Sequence, residues 1–154
     1  GLLATWVPNL FDFYVDYMKL FYMYHHYPNL HCPFLNSIWC TITFNLGPMT
    51  CALSHCDFAN LTSRWCAITA LEYFDYKKGG HLILWDCKLI IELPPRTTIL
   101  IPSTAIFHSN IPIADGEYWY SFTQYTTSKI FLWIEHRFKS EEAYLVMLTR
   151  RSRR

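Results

Sequence analysis

A histidine and an aspartate stand two residues apart in Ser54-His55-Cys56-Asp57, within a chain dominated by β-forming apolar runs. In an extended segment, side chains at i and i+2 leave the same face of the backbone, so an imidazole nitrogen and a carboxylate oxygen would be offered together. One His and one carboxylate are two members of the facial set that holds a non-haem Fe(II) and leaves its other coordination positions open. A third ligand is expected at His108, where the apolar run Thr98 to Phe107 ends. If the strands carrying His55 and His108 are neighbours at the mouth of a barrel, the three side chains converge on one point. The ligand types alone would equally accept Mn or Co. His25, His26 and His31 are also present, but near the end of a helical pattern they read as surface residues.

Such a grip needs strands to carry it, and the composition supplies them. The chain has 154 residues, 52% of them hydrophobic and 18% aromatic, enough for the core of one domain. Its charge is nearly balanced, 13 basic against 12 acidic residues for a net +1, so bulk electrostatics call for no nucleic-acid partner. The basic run Arg150-Arg151-Ser152-Arg153-Arg154 reads as a solvated tail. No continuous apolar run reaches about 18 residues, and no basic segment leads into a short apolar one, so neither a membrane span nor a secretory leader is expected. The six cysteines show no CxxC spacing, and they read as reduced, buried thiols of an intracellular protein.

Taken in order, apolar residues from Leu10 to Tyr24 recur at three- and four-residue steps. They predict a helix over Thr5 to Tyr27, with a start near Pro8-Asn9 and a stop at Tyr27-Pro28-Asn29, acting as a brace. Strands are expected over Ser37–Leu46, Thr50–Ser54, Trp65–Phe74, His81–Trp85, Leu89–Leu93, Thr98–Ile101, Ala105–His108, Tyr118–Thr127 and Ile130–Ile134. A closing helix is expected from Ser140, its N-cap, to Thr149. Many short strands after one helix predict a mainly β (α+β) fold, a jelly roll with a helical brace. The expected layout is a single domain: brace 1–35, β core 36–138, and C-terminal helix with basic tail 139–154.

The ordered motifs Asn36-Ser37-Ile38, His55-Cys56-Asp57-Phe58-Ala59-Asn60-Leu61, Trp65-Cys66-Ala67-Ile68-Thr69-Ala70-Leu71, Lys78-Gly79-Gly80-His81-Leu82, Leu84-Trp85-Asp86, Ile99-Leu100-Ile101-Pro102-Ser103, His108-Ser109-Asn110 and Tyr120-Ser121-Phe122-Thr123-Gln124-Tyr125 carry a resemblance. Over these residues the chain resembles the fungal members of the TET/JBP family of Fe(II)- and 2-oxoglutarate-dependent dioxygenases. The resemblance implies a double-stranded β-helix with His55, Asp57 and His108 as iron ligands and catalytic centre. It implies 2-oxoglutarate as co-substrate, 5-methylcytosine or a similar base in DNA as substrate, and a nuclear location. A base must leave the stack to be oxidised, and Trp65, Tyr73, Trp85, Phe107 and Trp119 are candidate aromatic walls, though each reads more readily as core.

At one place the sequence departs from the family. Its members place arginine about ten positions beyond the distal His, where it pairs bidentately with the far carboxylate of 2-oxoglutarate. Here Gly116-Glu117-Tyr118-Trp119-Tyr120-Ser121 has aromatic residues at both matching positions. Tyr118, Trp119, Tyr120 and Asn60 are then the candidate co-substrate contacts, with Arg64, Lys88 and Arg96 as cations from neighbouring strands. Two readings follow: an active dioxygenase, and a jelly-roll module derived from one that binds metal or nucleic acid without turnover.

Overall fold

Residues 1–24, 34, 37–57 and 65–152 are described in this computed structural model. Proline at a helix start loses no hydrogen bond, while the residue before it is driven out of the helical region. Val7 accordingly sits at φ −138°, ψ 62°, and the single helix expected from Thr5 is two: α1 (Leu2–Trp6) and α2 (Pro8–Met23). Tyr24 is already extended, which ends α2 ahead of the expected boundary. The run Ile130–Ile134, expected as a strand, is also helical, in α3 (Ser128–Glu135). Its buried positions Ser128, Phe131 and Ile134 recur every third residue, so one stripe is packed. Phe13 of α2 stacks on Phe131 with centroids 5.4 Å apart, and the Tyr17 hydroxyl donates to Glu135 Oε1 at 2.7 Å. Helix α4 (Glu141–Ser152) begins as expected, the Ala143 N–H donating to the Ser140 hydroxyl at 3.3 Å. Residues 1–32 and 127–154 make up one compact unit, and 33–126 the other.

The second unit holds two antiparallel sheets. Strands β1 (Thr41–Asn45), β2 (Cys66–Leu71), β3 (Leu82–Leu84), β4 (Leu89–Ile91), β5 (Thr98–Ile101), β6 (His108–Asn110) and β7 (Tyr120–Tyr125) lie close to the expected runs but are shorter. One sheet has the order β1-β7-β2-β5, the other β4-β3-β6. Residues Ala105–Phe107, expected as strand, belong to the turn and link before β6. Pairing places Cys66 and Ile68 of β2 on one face with Ile101 and Ile99 of β5 and Thr123 of β7. That face packs on Leu82 and Leu84 of β3 and on Ile91 of β4, so the sheets lie face to face around an interior core.

The segment expected as the strand Thr50–Ser54 is irregular yet lies along the free edge of β6. A reciprocal backbone pair, His55 N–H to His108 O at 3.0 Å and His108 N–H to His55 O at 2.9 Å, joins it there. Further along, the Asn110 side chain replaces the missing ladder: Oδ1 accepts from Ala52 N–H at 2.6 Å, and Nδ2 donates to Thr50 O at 2.9 Å. The three-stranded sheet therefore has a broken fourth member, held by the Asn110 amide together with one long backbone bond, Asn110 N–H to Ala52 O at 3.4 Å.

One end of the interior is closed by Phe74, Leu93, Ile113, Trp119 and Ala70. The close approach there explains Gly79-Gly80. A Cβ on Gly79 would come within 2.7 Å of Pro112 O, and one on Gly80, at φ +70°, within 2.6 Å of the Phe74 ring. The cysteines correct one expectation. All five described are free, but only Cys40, Cys56 and Cys66 are buried, while Cys51 and Cys87 are exposed. Among the described residues no helix is long and apolar enough to cross a membrane.

Candidate metal centre

Two consecutive features of the backbone aim the three expected ligands. The reciprocal His55–His108 pair puts both rings on the same side of the sheet, with centroids 4.4 Å apart. Past His55 the chain crosses to the turn before β6: the Asp57 N–H donates to Ser103 O at 3.1 Å, and the Cys56 thiol lies 3.1 Å from Thr104 O. That turn is closed by Ala105 N–H to Pro102 O at 2.9 Å. Asp57 Oδ1 thereby comes 3.9 Å from His55 Nε2, and one ligand atom from each of His55, Asp57 and His108 lies within 4.8 Å of the others. Among the described residues this is the only grouping of three such side chains that close.

The imidazoles are prepared for a metal in a second way. His55 Nδ1 lies 2.8 Å from Leu53 O, and His108 Nδ1 lies 3.0 Å from Ile106 O. A carbonyl oxygen only accepts, so each Nδ1 carries the proton and each Nε2 presents its lone pair. The same arrangement of a ligand imidazole held from behind by a carbonyl orients rings in metal sites and raises their basicity. His108 is buried, whereas the side chains of His55 and Asp57 are 45% and 36% exposed, which opens the site on one side. Neutral imidazoles with one carboxylate fit a divalent cation and leave positions free for further ligands.

Cys66 and Cys56 adjoin this centre. Burial pushes the Cys66 thiol up to about 12, with the Asp57 charge adding to the rise and a hydrogen bond from Ser103 offsetting part of it. Burial and then the Asp57 charge also push Cys56 up. Both stay neutral thiols at ordinary pH.

The candidate co-substrate contacts scatter. Tyr118 is exposed, and Tyr120 begins β7 paired with Leu71. Register puts Tyr120 on the sheet face opposite Ser121, Thr123 and the interior. Trp119 is buried at the closed end of the interior, its indole N–H without an acceptor among the described residues. Asn60 and Arg64, like His25, His26 and His31, lie outside the described residues. Lys88 occupies the tight turn between β3 and β4 at φ 53° and is exposed. Arg96 donates to the Tyr73 hydroxyl at 3.1 Å and is exposed. Of the candidate aromatic walls, Tyr73, Trp85 and Phe107 are exposed and only Trp119 is buried core. Trp85 follows β3 in the turn to β4, its indole N–H bonded to Ser109 Oγ at 3.0 Å.

Sequence reading missed the role of Asn110 and a polar wall formed by Thr43, Asn45, Ser121, Thr123 and Tyr125. These residues share one face of β1 and β7. Within it, the Thr43 and Tyr125 hydroxyls lie 3.1 Å apart, and Asn45 Nδ2 donates to Ser121 Oγ at 2.9 Å. The signal was present as period-two alternation of polar residues in both strands. No protein-family model and no curated protein matches the chain.

Proposed function

We propose that the β unit is a double-stranded β-helix that holds Fe(II) through His55, Asp57 and His108, and that the chain is an oxygenase-type domain directed at the methyl group of a modified base in DNA. The strand orders support the fold. With the His55 segment counted beside β6, two four-membered antiparallel sheets face each other, the layout of a jelly roll. The observation that carries the metal reading is the paired imidazoles, each held at Nδ1 by its own backbone and each offering Nε2 beside Asp57. The resemblance described above supports the iron and the methylated base.

In this reading the residues have separable tasks. Leu53 O and Ile106 O fix the imidazole tautomers, and Asp57 supplies the one negative charge. The Cys66 thiol, uncharged, packs behind the centre. Iron would supply the site for oxygen chemistry. 2-Oxoglutarate does not fit the described residues, because the two positions that match the family's arginines are Tyr118, which is exposed, and Trp119, buried among Phe74, Leu93 and Ile113, and neither carries a charge. That observation favours the second reading, a domain that keeps the metal without turning over 2-oxoglutarate.

The test is anaerobic loading with Fe(II), verified by metal analysis, followed by assay of 2-oxoglutarate consumption on duplex DNA containing 5-methylcytosine. Stoichiometric iron that is lost in His108→Ala is the expected result for the centre. Succinate formation coupled to methyl oxidation would sink the second reading. A fully loaded protein with no coupled turnover would sink the active 2-oxoglutarate enzyme.

A further inference from the structure

Resting on the metal reading, we infer that the ligand completing this centre is a monoanionic bidentate chelator of the 2-oxo acid class with an uncharged, hydrogen-bonding tail, in place of 2-oxoglutarate. The wall across from the metal residues carries the argument. Since β2 and β5 pack over β3 and β4, the remaining strands of the larger sheet, β7 and β1, face β6 and the His55 segment. The residues of β7 and β1 on the interior face are Ser121, Thr123, Tyr125, Thr41, Thr43 and Asn45, all of them neutral, with Ser121 buried and Thr43 exposed. Each hydroxyl or amide can both donate and accept, so this wall suits an ester, amide or hydroxyl tail.

Charge counting gives the same answer. A divalent ion with Asp57 and two neutral imidazoles carries one net positive charge, which a monoanionic chelator cancels. A dicarboxylate leaves one negative charge over, and a buried charge without a partner is strongly disfavoured. No Lys or Arg stands on the interior face of either sheet among the described residues, and Lys88 and Arg96 are placed elsewhere. Beyond Ser121 the closed end carries no cation among the described residues; it holds the Trp119 indole, whose N–H has no acceptor there, with Tyr76 packed against the same cluster. An indole donor can meet an acceptor on a neutral tail, but it cannot neutralise a carboxylate.

The experiment is calorimetric titration of the full chain, first with Mn(II) as a redox-silent stand-in. The Mn(II)-loaded protein is then titrated with 2-oxoglutarate, its 5-methyl ester and 2-oxovalerate. The ester is expected to bind about tenfold more tightly than 2-oxoglutarate, the low end of the cost of leaving a charged group without a partner. It should also bind more tightly than 2-oxovalerate, whose tail makes no hydrogen bond. Thr123→Val should weaken the ester about fivefold with Mn(II) affinity unchanged. Binding of 2-oxoglutarate as tightly as the ester overturns the inference while leaving the metal reading intact. Equal binding of ester and 2-oxovalerate overturns the role of the wall. Failure to bind Mn(II) in the first titration overturns the metal reading itself, before any chelator is added.

Discussion

The two ends of the sandwich interior are built on different principles. At the metal end almost every polar group is tied to backbone: Leu53 O and Ile106 O hold the imidazoles, and Ser103 O holds the Asp57 amide. At the far end the contacts are side chain on side chain, with Trp119 packed among Phe74, Leu93 and Ile113. A grip defined by backbone survives substitution of its neighbours, whereas an anchor that consists of one side chain vanishes with a single replacement. On the proposed reading, that difference is what would let a chain keep a metal centre while losing the means of holding a dicarboxylate.

The largest expected effect breaks the metal end. His108→Ala removes a ligand, and since loss of a mere supporting contact costs 10- to 100-fold in metal affinity, loss of the ligand should cost at least about 100-fold. Calorimetry with Mn(II) checks it, with circular dichroism confirming that the fold persists. A His108→Ala protein that bound Mn(II) like the parent would erase the distinction between the two ends. Breaking the far end should do the reverse. Trp119→Ala leaves a large cavity and should cost about 3–5 kcal/mol of stability, read by urea unfolding. Mn(II) affinity in that variant should stay within about threefold, provided the protein is measured well below its unfolding midpoint.

The same contrast governs what was legible in sequence. His55, Asp57 and His108 were readable because their spacing relates directly to an extended backbone, and the structure brings them together within 4.8 Å. Most strands were legible as apolar runs between turn residues. Ile130–Ile134 was misread because a short continuous apolar run looks alike in a strand and a buried helix, and only the three-residue spacing of Ser128, Phe131 and Ile134 separates them. The Thr5–Tyr27 pattern hid a break because Val7 is apolar and keeps the periodicity while Pro8 bars it from helical geometry. Thr50–Ser54 has strand composition but gets its partner from the Asn110 side chain, a long-range contact with no local signature.

A pH series probes the packing beside the candidate metal centre. The folded protein keeps the Cys66 proton up to about 12, while the unfolded chain releases it near 9.0. The stability gained from burying the neutral thiol is therefore complete below about pH 9 and is lost as pH rises toward 12, at up to about 1.4 kcal/mol per pH unit. Urea unfolding at pH 8 and pH 10 should show the parent losing more stability over that interval than Cys66→Ala. Equal losses would mean that the thiol is not held away from water.

The smallest effect sharpens the comparison most, because Asn110 belongs to the metal end but touches no ligand atom. Its amide stands in for two rungs of a β ladder, holding Ala52 N–H and Thr50 O and so setting where His55 enters the site. Asn110→Ala should weaken Mn(II) binding about tenfold, within the range for contacts that orient ligands. It should also cost about 1–3 kcal/mol of stability through the backbone groups left unpaired. Asn110→Asp tells positioning from bulk packing: it keeps the acceptor for Ala52 N–H and loses the donor to Thr50 O. An intermediate Mn(II) affinity in Asn110→Asp places the effect in the two hydrogen bonds. A value equal to that of Asn110→Ala assigns it to the Thr50 contact, and a value equal to the parent's assigns it to Ala52, the rung nearer His55.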